Sequence, residues 1–157
     1  MSKFNIRAAP PPGLFDSDGP TRETHIMSLP VSLAWKTRFL LIDKAGGASL
    51  PSVLDLDRKD QLKVKWNVIA FLTWPAYYVY LGMWKKGVFA ALLAIVAVLL
   101  VSVLLKGFGL GIVTPALWLV PGVYFAARAN VDYYRIKVLG ERDGEALHAF
   151  FNALLNK

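Results

Sequence analysis

Apolar side chains run in three long blocks between Trp66 and Ala127, and only Lys85, Lys86 and Lys106 interrupt them with charge. The blocks are Trp66–Trp84, Val88–Leu105 and Leu110–Ala127. The middle one, VFAALLAIVAVLLVSVLL, has no charge and a single hydroxyl, Ser102. As a helix it covers roughly 27 Å, close to the hydrocarbon thickness of a bilayer. So uneven a spread of charge predicts a membrane protein.

The other two blocks carry more varied chemistry. WNVIAFLTWPAYYVYLGMW holds Trp66, Trp74, Tyr77, Tyr78, Tyr80 and Trp84, with Pro75 near its middle. Tyrosine and tryptophan favour the headgroup level, and proline kinks a helix by removing a donor. The segment therefore reads as a helix lying in, or dipping into, the cytoplasmic leaflet; an ordinary kinked transmembrane helix is the alternative. LGIVTPALWLVPGVYFAARA contains Pro115, Pro121 and Gly122. Such a helix is expected to bend, with Thr114 and Tyr124 available to satisfy freed carbonyls. It should pack on Val88–Leu105 through Ala90, Ala91, Ala94 and Ala97, small residues that allow close approach.

Outside the blocks the pattern is weaker. Residues 1–30, with AAPPPG and DSDGPT, predict an extended or disordered arm. They lack the apolar run of about 7–15 residues found in a signal peptide, so the first membrane segment is expected to direct insertion. Val31, Leu33, Trp35, Thr37 and Phe39 alternate with Ser32, Ala34, Lys36 and Arg38. Period two argues for a half-buried strand, or for an interfacial segment with Trp35 and Phe39 in lipid. After Gly46–Gly47, a short helix is expected around Asp55–Val64. Gly144–Leu155 is amphipathic, with Leu147, Phe150, Phe151, Leu154 and Leu155 on one face.

The positive charges choose among topologies. Arg58, Lys59, Lys63 and Lys65 precede the first block, and Lys85 and Lys86 follow it. Arg128, Arg135, Lys137 and Arg142 follow the third block, and Lys106 alone lies in the turn KGFGLG. If the first block enters and leaves on one side and the others form a hairpin, only Lys106 is outside, as the positive-inside rule favours. The expected fold is an all-α membrane protein. A two-helix transmembrane hairpin (88–105 and 110–127) follows a Pro-kinked aromatic helix (66–84) that is interfacial, re-entrant or transmembrane. A small cytoplasmic or membrane-interface segment (31–65) and a cytoplasmic C-terminal helix (128–157) flank this module. The topology implied has both termini cytoplasmic; a bacterial inner membrane is what the resemblance given below implies.

The net charge of +7 does not point to nucleic acid. Residues 1–65 hold ten Lys/Arg against seven Asp/Glu, and the remaining cations cluster at block ends, where bilayer topology accounts for them. Absence of cysteine excludes disulfides and thiolate chemistry. His25 and His148 have no partner at ligand spacing, so no metal is expected. No phosphate loop, nucleophile elbow or zincin motif is present. The blocks contain no Asp, Glu, His or Arg, which disfavours proton relays and ion-coupled transport. Neither an enzymatic activity nor a cofactor is expected.

The polar group that stands out is ARANVDYYRIK, where the third block ends. On a continuing helix Arg128 pairs with Asp132 at i,i+4, and Asp132 with Arg135 at i,i+3. Arg128, Asn130, Asp132 and Tyr133, with the aromatic rim of Trp74, Tyr78 and Trp84, are the candidate partner or headgroup contacts. The alternative is a structural stop-transfer anchor.

AFLTWPAYYVYLGMWKKG and GVYFAARANVDYY together resemble an uncharacterised bacterial family of small inner-membrane proteins. Its members have an aromatic segment ending in a basic turn, a hydrophobic hairpin and an Ala-Asn-x-x-Tyr-like exit, here Ala129, Asn130 and Tyr133. The resemblance covers residues 66–137 and departs at Leu81-Gly82, where the family has Arg. It implies location and topology. By analogy of build, a non-enzymatic interaction protein is expected, most specifically an immunity protein that neutralises a membrane-targeting toxin. An accessory or assembly subunit of a larger membrane complex is the second reading, and a small oligomeric carrier or channel the third. The expected partners are a protein, toxin or complex, and membrane lipids.

Overall fold

The structure, a computed structural model, describes residues 21–145, which are helical and contain no strand. Seven α-helices follow in order: α1 Arg22–Ser28, α2 Leu33–Lys44, α3 Arg58–Lys65, α4 Val68–Thr73, α5 Pro75–Tyr80, α6 Trp84–Gly107 and α7 Leu119–Lys137. Two 3-10 stretches, Val53–Asp55 and Gly111–Trp118, join them.

The extended arm expected up to residue 30 is replaced over Arg22–Ser28 by α1; residues 1–20 lie outside the described residues. Thr21 starts this helix by accepting from the Thr24 amide at 3.4 Å, and Ile26 anchors it in the core.

The strand expected over residues 31–39 is instead the start of α2. Alternation over nine residues is short enough to coincide with a helical stripe. Trp35, Phe39 and Ile42 stand at i, i+4 and i+7, and Phe39 and Ile42 are fully buried. Each such burial contributes about 1.5–3 kcal/mol; a strand would put Phe39 and Ile42 on opposite faces, where one buried face cannot hold both. The helix expected around Asp55–Val64 is α3, with Val64 buried.

Trp66–Trp84 divides at Trp74 into α4 and α5, each of six residues. At about 1.5 Å rise per residue neither helix could span a bilayer. Trp74 takes φ 21° and ψ −94° at the break, in the position before proline where α conformation is disfavoured.

Helix α6 has 24 residues, roughly 36 Å. Only Gly87, Ala91 and Val98 along it are buried. Leu92, Leu93, Leu99, Leu100, Val103 and Leu104 are all exposed, Val103 to 70%. The core helix of a water-soluble domain would hide these faces.

The third block opens with the 3-10 stretch because Pro115 cannot donate an α-helical bond. That missing bond would have gone to the Gly111 carbonyl, four residues back. The Thr114 hydroxyl donates to that carbonyl instead. Pro121 then falls in the first turn of α7, where a proline's missing amide costs no hydrogen bond within α7.

Two glycines set the helix spacings. A Cβ on Gly122 of α7 would stand 2.9 Å from the Phe71 carbonyl oxygen of α4. One on Gly87 of α6 would stand 2.6 Å from Cβ of Tyr78 in α5. Helices α6 and α7 run past each other in opposite directions. Lys86 near the start of α6 reaches Asp132 in α7, while Val98 and Val101 lie beside Leu117 and Val120. Among the described residues, these two segments, Trp84–Gly107 and Gly111–Lys137, are long and apolar enough to cross a membrane. The amphipathic segment Gly144–Leu155 lies almost wholly outside the described residues.

Candidate functional site

Where α7 leaves the apolar stretch, its side chains enter two polar systems on different faces, one buried and one partly exposed. The first is a joint between α3, α4 and α7. Asn130 has no exposed surface. Its amide donates to the carbonyls of Lys63 (2.9 Å), Val64 (3.1 Å) and Trp66 (3.3 Å), at the C-terminal end of α3. Its oxygen accepts from the Asn67 amide at 2.9 Å. Asn67 in turn caps α4, its oxygen accepting from the Ala70 amide at 3.1 Å, and its own backbone amide donates to the Ala126 carbonyl at 3.0 Å. Two asparagines thus satisfy the end of one helix and the start of the next against a third.

The second system lies between α6 and α7. Asp132, with its side chain 11% exposed, accepts from the Tyr78 hydroxyl at 2.9 Å. It pairs with Arg128 at 3.8 Å, the i,i+4 partner its spacing predicts, and with Lys86 at 3.9 Å. Lys86 also faces Glu141 at 3.7 Å, and Glu141 faces Arg135 at 3.7 Å. Arg135 therefore pairs beyond the helix end rather than with Asp132. The result is an alternating chain, Arg128–Asp132–Lys86–Glu141–Arg135, that ends in a cation on both sides. Close by, the Asp143 carboxylate accepts from the amides of Lys85 (2.8 Å) and Lys86 (3.1 Å). It caps the start of α6 from beyond the end of α7, and a negative charge there suits the helix dipole.

Beside this charged chain opens a groove of about 600 Å³. Lys86, Arg128, Asp132, Arg135 and Glu141 line one end; Phe89, Ala90, Leu93, Ala94, Ala97 and Tyr124 line the rest.

Of the candidate contacts, Tyr78, Arg128 and Asp132 meet here. Asn130 belongs to the other joint. Tyr133 is buried against α2, its ring 4.6 Å from Trp35 and 5.6 Å from Phe39. Trp74 rests on Phe125, 5.9 Å between centroids. Trp84 is exposed, with the Lys85 ammonium 5.8 Å from its ring.

Residues that the motif alone does not reveal complete both systems: Asn67, Lys86, Glu141 and Asp143. Local signals exist for three of them. Asn67 stands before an apolar run, as an N-cap does, and Glu141 and Asp143 surround a basic residue just after Gly140.

A third polar contact fixes the N-terminal helices. Asp43 of α2 accepts from the Tyr134 hydroxyl and from Arg22 of α1, both at 2.9 Å. The Asp43 hydrogen bond raises the Arg22 guanidinium above its ordinary pKa against the opposing effect of burial. Among the described residues no group of three His, Cys, Asp or Glu side chains could hold a metal. No family profile, curated protein or solved structure matches the chain.

Proposed function

We propose that the chain is a non-enzymatic membrane interaction protein, with α6 and the Gly111–Lys137 segment inserted in the bilayer. The observation that carries this reading is the exposure of apolar side chains around α6 together with the gathering of charge at one end of the helix pair. Burying an exposed leucine is worth about 1.5–3 kcal/mol, so the ten exposed large apolar side chains of α6 strongly favour lipid or a partner over water. The end that holds Lys86, Arg128, Arg135 and the helices α1–α3 faces the cytoplasm, by the positive-inside rule, and Lys106 lies across the membrane. Helices α4 and α5 then form a re-entrant or interfacial wedge rather than a span.

In its most specific form the protein is an immunity protein of a bacterial inner membrane that binds a membrane-targeting toxin. That form is supported by analogy of build. A toxin's apolar surface would meet α6 in lipid, while exposed Trp84 and Arg128 would contribute contacts at the headgroup level. An accessory subunit of a resident complex is the other form.

The test is affinity purification of the full chain from membranes solubilised in mild detergent, paired with deletion. A co-purifying secreted toxin, with deleted cells newly sensitive to rival bacteria, supports immunity. A co-purifying resident complex with unchanged sensitivity supports the accessory role. A chain that purifies alone and whose loss changes neither overturns both.

A further inference from the structure

Resting on the reading that α6 and α7 sit in a bilayer, we infer that the groove between them is a binding site for one anionic phospholipid. The phosphodiester is held at the charged end, and an acyl chain lies along the alanine trough.

Three features carry this. The volume, about 600 Å³, is in the range of small-molecule sites rather than of packing defects. Its lining changes character along its length. Lys86, Arg128 and Arg135 stand at one end, and Ala90, Ala94 and Ala97 at i, i+4 and i+7 of α6 form the floor of the rest. That polarity matches a lipid, whose head is charged and whose tail needs only a smooth apolar channel. The charge balance also has a definite sign. Among the lining residues three cations face two carboxylates, Asp132 and Glu141, an excess of one positive charge that a monoanionic phosphodiester neutralises, and nearby Asp143 and Lys85 offset each other. Both terminal members of the charged chain are arginines, which suit phosphate oxygens by their forked donors. Nε of Arg135 is buried and has no acceptor among the described residues. A zwitterionic lipid would leave the net charge in place, so the groove should discriminate by headgroup. Basic pockets between membrane helices on the cytoplasmic side are suited to such heads.

Native mass spectrometry of the full chain in mild detergent, titrated with phosphatidylglycerol or phosphatidylcholine of matched chains, tests this. The expected result is one retained phosphatidylglycerol, bound at least about tenfold more tightly than phosphatidylcholine, one power of ten being about 1.4 kcal/mol. Arg128→Gln with Arg135→Gln should abolish the headgroup preference, and Ala94→Phe should weaken both lipids by filling the trough. Equal retention of the two lipids by the unaltered chain, or a preference untouched by the arginine substitutions, overturns the inference. So does an efficient disulfide between Ala94→Cys and Phe151→Cys in this cysteine-free chain, because the C-terminal segment would then fill the groove. Carbonate extraction of cell membranes separates this from the membrane reading itself. A chain released by carbonate fails that reading, whereas one that stays inserted but binds both lipids alike fails only the lipid site.

Discussion

Replacing Asn130 by alanine should be among the most damaging single changes at any polar position of the chain. The side chain is fully buried and makes four hydrogen bonds, three donated to carbonyls ending α3 and one accepted from Asn67. Alanine leaves those carbonyls and the Asn67 amide without their partner, and an unsatisfied buried polar group costs about 1–3 kcal/mol. Water can reach part of the α3 end, because the Lys63 and Trp66 carbonyl contacts are only partly buried. The net loss should therefore be about 3 kcal/mol, well below the sum of four separate bonds. Asn130→Asp is more informative still. It keeps an oxygen for Asn67 but sets an acceptor against the α3 carbonyls, so it should be at least as harmful as alanine. Asn67→Ala should cost about 2 kcal/mol, and the double variant should be less destabilised than the sum by about 1 kcal/mol, because both side chains belong to one network. Denaturant unfolding of the full chain in detergent micelles, followed by far-ultraviolet circular dichroism and by protease resistance near residue 66, gives all four values. An Asn130→Ala protein within about 0.5 kcal/mol of the parent, the range of ordinary surface substitutions, would refute the account of this joint.

Further substitutions probe three separate contacts. Asp143→Ala removes the cap on α6 and should cost about 1 kcal/mol, with faster amide exchange at Lys85 and Lys86; unchanged exchange there would show that the carboxylate does not hold them. Thr114→Val keeps the shape of the side chain but strands the Gly111 carbonyl, at about 1 kcal/mol; a neutral result in the same unfolding assay would mean that the hydroxyl is not compensating for Pro115. Gly122→Ala forces a methyl against the Phe71 carbonyl and should cost about 1–3 kcal/mol as overpacking does, whereas Gly107→Ala, with open space around it, should be tolerated; equal effects would refute the close approach of α4 to α7.

How much of this could be read in advance depends on whether a feature is local. The length and composition of α6 are properties of one uninterrupted run, and so is the i,i+4 pairing of Arg128 with Asp132. Both are as expected. The alternation at 31–39 misleads because Trp35 and Phe39 satisfy period two and a helical stripe alike; Ile42, one turn further on, settles it for the helix, and Leu33 is left exposed. The aromatic block shows its proline but not the consequence, a chain that divides at Trp74 into two short helices. Least legible are the partners across space. Asn67 and Asn130 are 63 positions apart, and Asp143 and Lys85 are 58. An asparagine in an exit motif reads equally well as a headgroup ligand or as a buried joint, since both need its amide. Only the position of α3 against α7 decides that the acceptors are carbonyls of the chain itself.

The central claim is that α6 and the segment 111–137 cross a membrane with their charged end in the cytoplasm. The chain has no cysteine, so single cysteines report accessibility without background. Lys106→Cys, Ser28→Cys and Glu145→Cys, expressed in bacterial cells and treated with a membrane-impermeant maleimide before and after lysis, test the claim directly. The account predicts labelling at position 106 in intact spheroplasts and labelling at 28 and 145 only after lysis. Labelling at 28 or 145 in intact spheroplasts, or protection of 106 alongside them, would contradict it.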